Sequence, residues 1–215
     1  DPVLAPRPAL AKSLASARME GSWYDPARDG EGLYLEPQPD GTVVVTWYTF
    51  PAVGEDGEQL WLIGAGRLQG NGLAADLLQV SGGRFGGQFD PADVQRNPWG
   101  RVTLLFDGDA SATLRYEGSA AYGGGTRTLT RLSRQRRPLV EFSAPPPGPI
   151  HVDLAGSFYD PARSGEGVFL HAVTDAEGIP RSSVLFWYSF DEAGRPIWLV
   201  GSDISDELSP PLPFG

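Results

Sequence analysis

Apolar positions in this chain fall in short runs, each closed by Gly, Pro, Asp or Asn, which predicts strands joined by turns. GLYLE, TVVVTWYTF and QLWLIGAGRL form one series; LAADLLQV (73–80), RVTLLF (101–106), SATLRYEG (111–118) and TRTLTRLS (126–133) continue it. Gly70-Asn71-Gly72 and Asp107-Gly108-Asp109-Ala110 supply hairpin turns. The spacing predicts an antiparallel meander of seven strands, or eight if GRFGGQF (83–89) also pairs. PALAKSLASARM (8–19) is the exception, a short helical pattern with Leu10 and Leu14 on one face.

Side chains alternate across a strand, so a half-solvated sheet alternates apolar and polar residues. SATLRYEG obeys this, with Thr113, Arg115 and Glu117 on one face. Several other strands do not. Val43, Val45 and Trp47 point one way while Val44, Tyr48 and Phe50 point the other. Leu185 and Trp187 likewise oppose Val184, Phe186, Tyr188 and Phe190. Both faces of such strands require cover. A barrel covers one; the other must meet a second part of the chain or another molecule.

The chain repeats itself. GSWYDPARDGEGLYLE (21–36) answers GSFYDPARSGEGVFLH (156–171), identical at eleven of sixteen positions. TWYTF (46–50) answers FWYSF (186–190), and LWLIG (60–64) answers IWLVG (197–201). The expected organisation is an N-terminal tail or short helix (1–20), a β-barrel-like domain (21–133), a Pro-rich linker (134–155) and an incomplete second repeat (156–215). The fold class is all-β: an antiparallel meander barrel of seven to eight strands, followed by a partial three-stranded repeat of its first half. Pro145-Pro146-Pro147-Gly148-Pro149 reads as a stiff spacer.

Composition narrows the function. The net charge is −10, which repels phosphate backbones, so nucleic acid is not an expected partner. Cysteine is absent, which excludes disulfides, thiolate metal sites and a Cys nucleophile. No stretch approaches 18 apolar residues, so no transmembrane helix is expected. The opening Asp1-Pro2-Val3-Leu4-Ala5-Pro6 reads as a mature terminus left after processing, giving an expected secreted location, extracellular or periplasmic.

The phrase G-S-W/F-Y-D-P-A-R-x-G-E-G, followed by W-Y-x-F and W-L-x-G, resembles a repeat of secreted Gram-negative bacterial proteins. It covers 21–64 and 156–201. The resemblance implies export and carries no established activity. Gly21-Ser22-Trp23-Tyr24 at the start, with Arg131 in the last strand, also resembles the calycin pattern of lipocalins, avidins and small bacterial protease inhibitors. That resemblance implies a barrel closed by a contact between Trp23 and Arg131. The sequence departs from it in having Phe158 where the second copy would need Trp, and in lacking a Cys pair.

The charged residues kept in both copies are Asp25, Arg28 and Glu31, with Asp160, Arg163 and Glu166. As function, they would be a carboxylate pair for acid–base work or a sugar site. As structure, they are a turn: Asp accepts backbone N–H bonds, Pro presets φ, and Arg pairs with Glu. Turn chemistry accounts for every residue type present. Tyr24, Trp47, Tyr48 and Trp61 are either a ligand-stacking face or core, and core packing is the simpler account; Trp187 and Trp198 in the second copy read as structural. His151 and His171 lack metal-ligand partners at useful spacing, so no metal and no cofactor is expected. The Arg cluster at 127, 131, 134, 136 and 137 reads as a solvated strand end and linker. No nucleophile elbow, phosphate loop or H-E-x-x-H is present.

The expected function is non-catalytic: an exported protein acting in binding or self-assembly. Its second repeat is completed by another chain or by the first domain. The expected partner is itself, as a homo-oligomer or filament. A ligand-binding calycin-like barrel taking a small molecule or glycan, and a protease inhibitor using the N-terminal tail, stand as alternatives.

Overall fold

The computed structural model describes residues 19–132, 156–174 and 180–204. The expected helix at 8–19, apart from Met19, and the 134–155 spacer with His151 lie outside these residues. So do Arg134, Arg136 and Arg137. Within them the chain is all-β, with short 3₁₀ turns at Gly86–Gln88 and Pro161–Arg163.

The first eight strands close an antiparallel meander barrel. They are β1 (Gly21–Tyr24), β2 (Gly32–Pro37), β3 (Thr42–Thr49), β4 (Leu60–Gln69), β5 (Gly72–Ser81), β6 (Gln95–Phe106), β7 (Ser111–Gly118) and β8 (Gly124–Arg131). The eighth strand is not GRFGGQF, which is loop and 3₁₀ turn. It is GSWY, set apart from GLYLEP by the D-P-A-R turn. The barrel closes where β1 pairs with β8, with Trp23 opposite Arg131. The Arg131 guanidinium carbon lies 5.6 Å from the Trp23 ring centroid, forming the contact that the calycin resemblance implies. The Trp23 indole N–H donates to the Met19 carbonyl at 2.9 Å.

The second copy forms a four-stranded sheet, one strand more than expected because GSF is also a strand. Its strands are β9 (Gly156–Phe158), β10 (Gly167–Thr174), β11 (Pro180–Phe190) and β12 (Pro196–Ile204), in the order β12-β11-β10-β9. The register repeats that of β1–β4. In the barrel, Trp23, Leu33, Trp47 and Leu62 make one cross-strand row. In the second sheet the row is Phe158, Val168, Trp187 and Leu199.

The inward-pointing residues of the barrel form one core, including Trp23, Leu33, Leu35, Val45, Trp47, Leu62, Trp99 and Leu104. The outward residues of β2–β4 form a second core with the facing side of the second sheet: Tyr34, Tyr48 and Trp61 against Phe169, Phe186, Tyr188, Phe190 and Trp198. Of the strands apolar on both faces, β2–β4 thus lie between two layers, whereas β11 is covered on one face and leaves Leu185 exposed on the other. β7 has no such cover, and its Arg115 and Glu117 are exposed or half-exposed as expected.

The barrel needs glycine where β4 meets β5. A Cβ on Gly64 would lie 2.1 Å from the Asp76 carbonyl oxygen, and one on Gly66 2.0 Å from that of Ala74. Gly201, the counterpart of Gly64, meets nothing within 4 Å because β12 is an edge. Gly64→Ala should destabilise the protein by about 1–3 kcal/mol through forced strand separation. Gly201→Ala should leave the urea midpoint unchanged or raise it.

Candidate functional site

Both D-P-A-R turns adopt the same bonding. The Asp25 carboxylate accepts the Ala27 N–H at 3.0 Å, and the Arg28 N–H donates to the Asp25 carbonyl at 2.9 Å. In the second copy the Asp160 carboxylate accepts the Ala162 N–H at 2.9 Å, and the Arg163 N–H reaches the Asp160 carbonyl at 2.8 Å. Asp90-Pro91-Ala92, outside the repeat, shows the same carboxylate bond at 2.8 Å. The aspartate is therefore a turn former wherever D-P-A occurs.

The arginine and glutamate of each copy build a network onto the third strand. Arg28 Nε donates to Glu31 Oε1, and the Thr49 hydroxyl donates to Glu31 Oε2 at 2.6 Å. Arg163 Nε donates to Glu166 Oε1, and the Ser189 hydroxyl donates to Glu166 Oε2 at 2.8 Å. In the barrel a further cation joins: Arg127 of β8 reaches Glu31 Oε2 at 2.8 Å and lies over the Trp47 and Tyr116 rings. Burial alone would raise the Glu31 carboxyl; the Thr49 hydroxyl, Arg28 and Arg127 outweigh it and hold the carboxyl below its usual range. The Glu31 hydrogen bond and charge raise Arg28 in turn. Such a group stays ionised and has its acceptor positions occupied, which suits a clamp between turn and strand.

Arg163 spends its remaining donors on the loop between β5 and β6. Its Nη2 donates to the Gly86 carbonyl at 3.0 Å, and its guanidinium carbon lies 4.4 Å from the Phe89 centroid. From the same loop, Phe85 meets Trp187 at 5.2 Å.

The two copies pack through equivalent residues in exchange. The Trp61 indole donates to the Ser189 carbonyl at 3.2 Å; its counterpart Trp198 donates to the Thr49 carbonyl at 3.3 Å. Trp61 lies 5.6 Å from Tyr188, and Trp198 lies 5.5 Å from Tyr48. Ser22 meets His171 Nδ1 at 3.2 Å, while its counterpart Ser157 donates to Glu36, the counterpart of His171. Tyr34 and Phe169, equivalent to each other, touch directly at 4.6 Å. Residue i meets j′ and j meets i′, the signature of a twofold-related interface, here inside one chain. Tyr48, Trp61 and Trp198 are thereby buried between the copies, and Trp47 lies inside the barrel. The repeat offsets alone do not predict this exchange.

The other face of the second sheet is open. Phe158, Leu185 and Leu199 are 49, 39 and 47 % exposed, while their counterparts Trp23, Val45 and Leu62 are fully buried. Val168, Trp187 and Ile197 are half-buried. What is barrel interior in the first copy is surface in the second: β9–β12 is half of a barrel. A separate cleft of about 510 Å³ lies between the copies, lined by Thr46, Trp61 and Val80 of the barrel and by Phe169 and Tyr188 of the second sheet, with Glu36 and Arg96 also in its wall. No family model matches this chain, and no curated protein matches it.

His171 supplies a pH dependence. Burial, aided by the nearby charge of Arg131, lowers its pKa to about 4. The folded state holds it neutral, whereas the unfolded chain protonates it below about pH 6.5. Its contribution is therefore complete above pH 6.5 and is lost as pH falls towards 4, by roughly 3 kcal/mol. Urea melts at pH 7 and pH 4 should show a smaller acid loss for His171→Gln than for the parent chain. Equal losses would remove His171 from the account.

Proposed function

We propose that the protein is a non-catalytic binding and assembly protein, exported from the cell, whose β9–β12 sheet receives strands from another polypeptide. The carrying observation is the equivalence of its row of exposed Phe158 and Leu199 and half-buried Val168 and Trp187 with the buried interior row of the barrel. Large apolar residues left exposed together on one face mark an interaction surface. The edge of β12, unpaired among the described residues, supports the same reading, since such an edge offers a ladder of N–H and C=O groups for strand addition. The repeated carboxylates favour a structural role, because each is bonded into its turn or strand.

With no other partner present, copies of the chain should meet through this face. Sedimentation across a concentration series should show reversible association, and Leu199→Arg should abolish it without lowering the barrel's stability. Face-to-face pairing would stop at a dimer, whereas edge addition at β12 would propagate as a filament. A monomer at every concentration, with Trp187 inaccessible to acrylamide, would defeat this reading.

The cleft favours a second role, in binding a small aromatic molecule that carries a hydroxyl. Thr46 and Tyr188 are among its lining residues, and the Thr46 Oγ1 and the Tyr188 hydroxyl, buried beside it, have no hydrogen-bond partner among the described residues. Burial raises the Tyr188 hydroxyl well above its usual pKa, so it stays a neutral donor. A largely apolar pocket with a few polar groups is the common form of a small-molecule site. Calorimetry with 4-ethylphenol should show binding that Thr46→Val and Tyr188→Phe each weaken about tenfold, the loss expected for one hydrogen bond of roughly 1 kcal/mol or slightly more. Neither variant should melt lower than the parent. Equal binding by parent and variants would sink this second role.

A further inference from the structure

We infer that the polypeptide received by β9–β12 is a four-stranded antiparallel segment of the β5–β8 kind, whose last strand brings two arginines, one to Glu166 and one over Phe158. The inference rests on β9–β12 being an open half-barrel. Three contacts complete in the first copy are half-made in the second.

The first is the glutamate network. Glu31 is held by Thr49, Arg28 and Arg127 of β8. Glu166 is held by Ser189 and Arg163, and no β8-like cation reaches it among the described residues. The second is the closing contact. Trp23 has Arg131 opposite it on β8, while Phe158 ends its row on β9, whose outer edge has no partner strand among the described residues. The third is the fourth strand. Gly64 admits the β5 backbone at a distance no Cβ allows, and Gly201 keeps that opening with nothing in it.

These gaps specify the occupant. Arg127 and Arg131 stand four apart on β8, so both point to one side of the strand. A strand bearing the same pair beside β9 meets Glu166 and Phe158 together. A second copy of β9–β12 offers Phe158, Val168, Leu170, Leu185, Trp187, Ile197 and Leu199 across the gap, and none of these is basic. A lipid or sugar would leave the backbone edges of β9 and β12 unpaired.

The test joins residues 1–204 to a second copy of residues 68–132. Register is kept because Ile204 stands where Arg67 stands in the first copy. Hydrogen exchange across 156–204 should slow on the order of 100-fold, towards the rates of the parent barrel. Replacing the grafted counterparts of Arg127 and Arg131 by Gln should each restore about tenfold of that exchange. Slowed exchange that ignores both replacements overturns the arginine assignment and leaves the half-barrel standing. Exchange unchanged by the graft, while the barrel at 19–132 stays protected, overturns both. Independently, a peptide of residues 124–132 should bind the unmodified chain, and neither its doubly Arg→Gln form nor the Glu166→Gln chain should support binding. Equal binding by both peptides would also overturn the arginine assignment.

Discussion

A strand that is apolar on both faces buries all of its apolar surface only between two layers, and β2, β3 and β4 are so placed. Their inward residues, Leu33, Val45, Trp47 and Leu62, require closure of the barrel. Their outward residues, Tyr34, Tyr48 and Trp61, then require a second layer, which the second copy supplies. The position of the second sheet follows from this. It lies against β2–β4, away from β7, where Arg115 and Glu117 make the outer surface hydrophilic. The indole N–H groups of Trp61 and Trp198 fix the alignment, because each must find an acceptor once buried and each finds the other copy's third strand.

The same residues therefore work in two settings. In the first copy the D-P-A-R turn, the Arg28–Glu31 pair and Thr49 join a network that β8 completes with Arg127. In the second the turn, pair and Ser189 persist, but Arg163 leans on Gly86 and Phe89 of the loop between β5 and β6. The barrel both covers the second sheet's outward face and steadies its turn. On the interior-type face Phe85 of the same loop lies beside Trp187, while Phe158, Leu185 and Leu199 stay exposed.

Much of this was legible in the sequence. The meander, the repeat, the D-P-A-R bonding and the meeting of Trp23 with Arg131 follow from periodicity, turn chemistry and resemblance. The identity of the eighth barrel strand and the fourth strand of the second sheet did not, because GSWY and GSF are short and merge in the pattern with the runs that follow the turn. The exchanged contacts were also hidden. Ser22 meets His171 and Ser157 meets Glu36, yet Glu36 and His171 are unlike residues at equivalent positions, so nothing in the repeat marks them as partners. Thr46 and Tyr188 read as ordinary strand residues; their place in the cleft wall and the lack of hydrogen-bond partners for their hydroxyls among the described residues set them apart.

Among the described residues the barrel is two halves, β1–β4 and β5–β8, and β9–β12 is a third. Halves of this kind obey a parity rule. An even number can close into whole barrels, while an odd number leaves one concave sheet with a barrel's lining and no lumen to line. Adding or losing a single half would switch such an architecture between self-sufficient and receptive without altering any strand already in place.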